Sequence, residues 1–90
     1  MMLKMFSIRD SKAEVYYSPF FAKSHGEAER NFRELTNDQK STVSKYPEDF
    51  DLYYLGTYDD STGKLAPVDT PQHLMKAVNV VNQKPTSLEQ

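Results

Sequence analysis

The chain has 90 residues, a net charge of −2, 38% hydrophobic residues and no cysteine. This length bounds it to one small domain, which buries only about two-thirds of its unfolded surface and is modestly stable unless it self-associates. Disulfide and thiolate-metal staples are excluded, and the acidic balance argues against histone-like neutralisation of nucleic acid.

Leu3 to Arg9 alternates, with Lys4, Phe6 and Ile8 on one side and Met5, Ser7 and Arg9 on the other. That pattern predicts a strand. Asp10-Ser11-Lys12 is a turn, and Glu14-Val-Tyr-Tyr returns as its partner. Pro19 lacks the N–H that a ladder needs, so pairing stops there, and Phe20-Phe21 is expected to tuck beneath the sheet.

Ser24 followed by Glu27 matches a capping box. Ala28, Phe32 and Leu35 then share one helical stripe, so a helix is expected over 25–37, with Glu29 and Arg33 spaced for an i,i+4 pair. Residues 37–45 are polar and aperiodic, which reads as a loop. Asp51 to Tyr58 is a tyrosine-rich strand, and Asp59-Asp60-Ser-Thr-Gly63 is a hairpin turn with Gly63 at positive φ. Lys64-Leu-Ala is a short return strand ended by Pro67. Thr70-Pro71 resembles a helix start, and Leu74, Ala77, Val78 and Val81 recur at helical spacing. A C-terminal helix is therefore favoured, with a strand as the alternative because valine is only a middling helix former. The expected fold is α+β in the order β-β-α-β-β-α. It comprises a small antiparallel sheet, one amphipathic helix packed on a face and a shorter C-terminal helix, all within 1–81, followed by a flexible tail over 82–90.

No pattern supports catalysis. His25 and His73 are isolated and read as surface or cap residues, since a single imidazole without a placed partner performs no acid–base chemistry. Neither belongs to a metal-binding spacing, so no metal or cofactor is expected. Asp59 and Asp60 read as turn formers, and Gly63-Lys64 lacks the rest of a phosphate loop. No apolar run is long enough to span a bilayer. The start, Met1-Met-Leu-Lys-Met-Phe, lacks the form of a secretory signal, so no membrane association and a cytoplasmic location are the expectation.

The aromatic residues are the stronger lead: six tyrosines and five phenylalanines, most of them on expected strands. Phe6, Phe32, Tyr54 and one of Phe20/Phe21 are expected in the core. Tyr53 and Tyr54 must face opposite ways within a strand, as must Tyr16 and Tyr17, so one of each pair should reach solvent or a partner. Exposed sheet aromatics beside cations are the surface on which single-stranded nucleic acid stacks. The cations are unevenly spread: residues 1–45 hold eight Lys/Arg against six Asp/Glu, and residues 46–90 three against seven. The candidate nucleic-acid-binding residues are therefore Lys4, Arg9, Lys12, Tyr16, Lys23, Arg30, Arg33 and Tyr53.

Two segments carry a resemblance: Phe6-Ser-Ile-Arg-Asp-Ser-Lys-Ala-Glu-Val-Tyr-Tyr-Ser-Pro-Phe-Phe-Ala-Lys-Ser24, and Tyr46-Pro-Glu-Asp-Phe-Asp-Leu-Tyr-Tyr-Leu-Gly-Thr-Tyr-Asp-Asp-Ser-Thr-Gly-Lys-Leu65. In order and spacing they resemble the small nonstructural protein of the gokushoviruses, bacteriophages of the Microviridae. The resemblance implies a non-catalytic DNA-binding role during single-stranded genome synthesis in the bacterial host cytoplasm. It transfers no active-site motif. The alternative is an interaction module engaging a host or phage protein of replication or assembly, and chain size makes a homodimer the expected state.

Overall fold

The structure, a computed structural model, describes residues 1–81; the expected tail over 82–90 lies outside the described residues. In chain order the elements are β1 (Met2–Asp10), β2 (Val15–Tyr16), β3 (Phe20–Ala22), α1 (His25–Thr36), α2 (Thr42–Lys45), a 3-10 turn (Pro47–Asp49), β4 (Phe50–Asp59), β5 (Lys64–Lys76) and a second 3-10 turn (Ala77–Asn79). One antiparallel sheet runs β2-β1-β4-β5, and β3 pairs with the same edge of β1 as β2 does.

β1 is the organising strand because its alternation divides the molecule. Phe6 pairs with Tyr54 and Ile8 with Leu52. These residues face α1, and Phe6, Ile8, Leu52, Phe50, Ala28 and Phe32 form the centre of the core. Phe20 joins this side, stacked on Phe6 with ring centroids 5.7 Å apart. Phe21 does not tuck under as expected, because alternation within β3 turns it to the opposite face, where it is 44% exposed.

The helix starts as its cap predicts. The Glu27 N–H donates to Ser24 Oγ at 3.1 Å, and Glu27 Oε1 accepts from the Lys23 N–H at 2.7 Å. Its buried stripe is Ala28, Phe32 and Thr36. Among the described residues no ion pair joins Glu29 to Arg33. His25 is no simple surface residue. Its ring packs edge-on to Phe6 at 5.5 Å and against Tyr54 at 4.7 Å. The polar segment 37–45, expected to be a loop, closes one short helical turn, α2, capped by Ser41 Oγ, which accepts from the Ser44 N–H. Val43 anchors that turn in the core.

The largest correction concerns the C-terminal third. The return strand does not end at Pro67, and no helix follows Thr70-Pro71; β5 continues to Lys76. β4 would otherwise leave a row of N–H and C=O groups unpaired along Asp51–Tyr54, and β5 satisfies them. Pro67 and Pro71 are tolerated because β5 is an edge strand and Val68–Pro71 bulges out of the ladder. Leu74 and Met75 pack against the core, and Ala77 and Val80 are buried in it, whereas Val78 is exposed, so the expected helical stripe does not match the buried set. At the other end of β4 the expected hairpin turn forms, with Gly63 at φ 76°. The Met1 amino group donates to Asp60 Oδ1 at 2.7 Å, and this bond holds its pKa above the ordinary value of 8.0.

Candidate nucleic-acid interface

The other face of the sheet carries no helix. It presents Leu3, Met5, Ser7 and Arg9 of β1. Their ladder partners are Tyr58, Gly56, Tyr53 and Asp51 of β4, and beyond those Leu65, Pro67, His73 and Lys76 of β5. Met5 and Ser7 form its buried floor. Ser7 is satisfied there, because its hydroxyl donates to the Tyr17 carbonyl at 2.6 Å.

A β-bulge arranges the rings on this face. Phe6 pairs with Tyr54 and Met5 with Gly56, so Leu55 is an extra residue in β4. Strict alternation would put Tyr58 on the side of Tyr54. The extra residue shifts the phase and returns Tyr58 to the side of Tyr53. Gly56 makes the bulge possible. Its φ is 145°, and a Cβ at this position would collide with the Ala66 carbonyl oxygen and lie 2.7 Å from Pro67 Cα.

The result is two aromatic groups. At one end Tyr16 meets Tyr53 edge to face at 5.4 Å, and Tyr53 meets His73 at 5.3 Å. At the other end Phe21 packs against Tyr58 at 5.1 Å. Phe21 stands opposite Met5 on β1 and Tyr16 opposite Arg9, so the groups lie four residues apart along β1, about 13 Å.

Cations sit at the Tyr16–Tyr53 end. The Arg9 guanidinium lies 5.6 Å from the Tyr16 ring centroid, within cation–π range. Asp51 is the local counter-charge. Its Oδ2 accepts from His73 Nε2 at 2.6 Å and lies 3.6 Å from Lys76 Nζ. Potential on this face is therefore mixed, with positive groups outermost: the Lys76 side chain is 56% exposed, while that of Asp51 is 18% exposed.

Of the residues singled out from sequence, the structure brings together Arg9, Tyr16 and Tyr53. Lys4 lies on the opposite face, with its ammonium 6.0 Å from the Tyr54 ring centroid. Lys12 is on the β1–β2 turn, and its N–H donates to Asp10 Oδ1. Lys23 lies between β3 and α1, outside the ladder, and its N–H donates to Glu27 Oε1. Arg30 and Arg33 belong to α1, with Arg30 exposed and Arg33 half-buried in its last turn, so neither shares a face with Tyr53. Sequence reasoning missed His73 and Lys76 as site residues because it expected a helix over their strand, and it missed Asp51 because its partners His73 and Lys76 come from that strand. It missed Phe21 and Tyr58 as a pair because single-residue bulges leave no periodic signal. The Tyr54-Leu55-Gly56 step was the available clue, since an isolated glycine within a strand pattern marks a bulge.

A curved antiparallel sheet with a helix on one face and clustered rings on the other defines a small α+β protein with an open aromatic sheet surface. The chain matches the Phage ORF5 protein family over residues 3–80 and belongs to it. It is similar to Protein ORF5 of Chlamydia phage 1, with 39% identity over 69 residues, covering 71% of each chain. The gokushovirus resemblance holds: this is a small phage nonstructural protein. No solved structure matches it. No helix among the described residues is long and apolar enough to cross a membrane.

Proposed function

We propose that this phage protein binds single-stranded DNA through the helix-free sheet face, as a non-catalytic factor of genome replication in the cytoplasm of the bacterial host. The observation that carries the proposal is the Tyr16–Tyr53–His73 ring cluster, with Arg9 over Tyr16 and Lys76 at its rim. Unpaired bases stack on such rings whatever their sequence, each worth about 1–3 kcal/mol, while the cations hold phosphates.

Two cations meeting two phosphates give a modest salt dependence. The expected slope of log K against log salt is about −1.4, or about a sevenfold loss of affinity between 50 and 200 mM salt. Fluorescence anisotropy with a labelled oligothymidine tests this. Absence of binding at the lower salt, or binding indifferent to salt, removes the proposal.

A second reading is favoured by the other end of the same face. Phe21, Tyr58, Leu3 and Leu65 form an apolar group without a cation, and Leu65 is 59% exposed. Aromatic and aliphatic side chains in this arrangement suit a protein partner of replication or assembly, or a second copy of the chain. The two ends are compatible: one holds nucleic acid while the other holds protein.

A further inference from the structure

Beside Tyr53 the sheet face ends in a polar pocket that shares Arg9 and Lys76 with the stacking site and adds Glu48 and Ser11. Its volume is about 150 Å³, and it is lined by Arg9, Ser11, Glu48, Asp51, Tyr53 and Lys76. That is half the lower bound of pockets that enclose drug-sized ligands, so it has room for a single flat ring with the rest of the ligand outside.

The chemistry of the lining is two-sided. Arg9 and Lys76 offer only donors; Glu48 and Asp51, when ionised, offer only acceptors. Asp51 is engaged on Oδ2 by His73 and Lys76, which fixes Lys76 at the rim. Glu48 stands exposed in the 3-10 turn before β4 and has no ion pair among the described residues. The Arg9 guanidinium likewise lies over a ring and not within 4.0 Å of a carboxylate. A bare phosphate would meet two carboxylates here, and a metal ion would meet two cations. A neutral ring with donors on one edge and acceptors on another meets neither repulsion.

Among the DNA bases, guanine has that pattern in paired form. Its N1–H and 2-amino group are adjacent donors that match the two oxygens of a carboxylate. Its O6 and N7 are adjacent acceptors that match Arg or Lys. Adenine and cytosine place a ring acceptor next to their single amino donor, and thymine flanks its N–H with two carbonyls, so each turns a lone pair toward the carboxylate.

We infer that this pocket takes a guanine base of the bound single strand. The Glu48 carboxylate accepts from N1–H and the 2-amino group, Tyr53 forms the wall, and Arg9 and Lys76, each with more donors than one phosphate contact uses, also donate to O6 and N7. The inference rests on the single-strand reading and adds a base preference to it. The full chain, titrated by anisotropy against oligothymidines of about ten nucleotides that carry one central guanine, hypoxanthine, adenine or cytosine, tests it. The guanine oligomer should bind about tenfold more tightly than the adenine and cytosine ones. Hypoxanthine, which lacks the 2-amino group, should lose most of that gain. In Glu48→Gln, the ratio of guanine to thymine affinity should fall toward one. Equal affinity for every oligomer, or a preference for another base, overturns the guanine pocket and leaves single-strand binding standing. Failure of every oligomer to bind overturns both.

Discussion

Tyr53 and Tyr58 stand on the same face of the sheet although their odd spacing along β4 should place them on opposite faces. The Leu55–Gly56 bulge is the cause: it inserts one residue and restores the phase. That the Phe21–Tyr58 group shares a face with the Tyr16–Tyr53 group depends on that irregularity, and so does the prediction that tests it.

Gly56→Ala should unfold the protein at lower denaturant. A side chain at φ 145° is strained, and its Cβ would press on the Ala66–Pro67 backbone, so the cost is about 1–3 kcal/mol. Urea denaturation should show a lowered midpoint. If the midpoint does not move, the bulge adapts to a side chain and the close approach of β5 is not required.

Stacking and charge separate in the salt dependence. Tyr53→Ala should weaken oligothymidine binding by about 1–3 kcal/mol with the slope unchanged, whereas Arg9→Ala should reduce the slope by about one phosphate contact. The double variant Arg30→Ala, Arg33→Ala should leave the slope in place, because α1 covers the other face. A flattened slope in the double variant would shift the DNA path from the sheet to the helix.

Asn37 ties the end of α1 to the C-terminal turn. Its Nδ2 donates to the Arg33 carbonyl at 2.8 Å and to the Val80 carbonyl at 3.0 Å. Asn37→Ala removes both bonds and should cost about 1–2 kcal/mol, since a partly buried carbonyl is left without its donor. Thermal unfolding of this variant should begin several degrees lower, at roughly 4–8 °C per kcal/mol for a domain of this size. An unshifted transition would mean that water replaces the amide at the Val80 carbonyl, since the Arg33 carbonyl keeps the Asn37 backbone N–H.

The apolar end of the sheet face predicts association. Light scattering of the full chain should give a mass above the 10.4 kDa monomer, and Phe21→Ser with Leu65→Ser should return it to monomer. Both positions are exposed, so these changes should leave the fold intact. A monomer at high concentration before any substitution would assign this end to a different partner.

Much of the first half was legible. Ser24 and Glu27 announce the helix because capping is chemistry between residues close in sequence. The alternation of β1 announces a two-faced strand for the same reason. Phe20 and Phe21 could not be separated in advance, because which of two neighbouring rings enters the core depends on the register of β3 against β1. His25 read as a surface residue because nothing nearby in sequence shows that Phe6 and Tyr54 wait beneath it.

By itself the sequence determined the local pieces: β1, the capped helix, the tyrosine strand, the Gly63 turn and the presence of surplus rings near Arg9. Tertiary structure alone decided the fate of residues 67–76, because Leu74 and Ala77 carry the same apolar spacing whether they lie on a helix or enter the core from an edge strand. Pairing with β4 settled that choice, since it brings Leu74 and Met75 onto the core and leads into the buried Ala77. His73 and Lys76 thereby came to stand beside Tyr53 and Asp51, and the composition of the face was set by pairing across the sheet, which residue order does not encode locally.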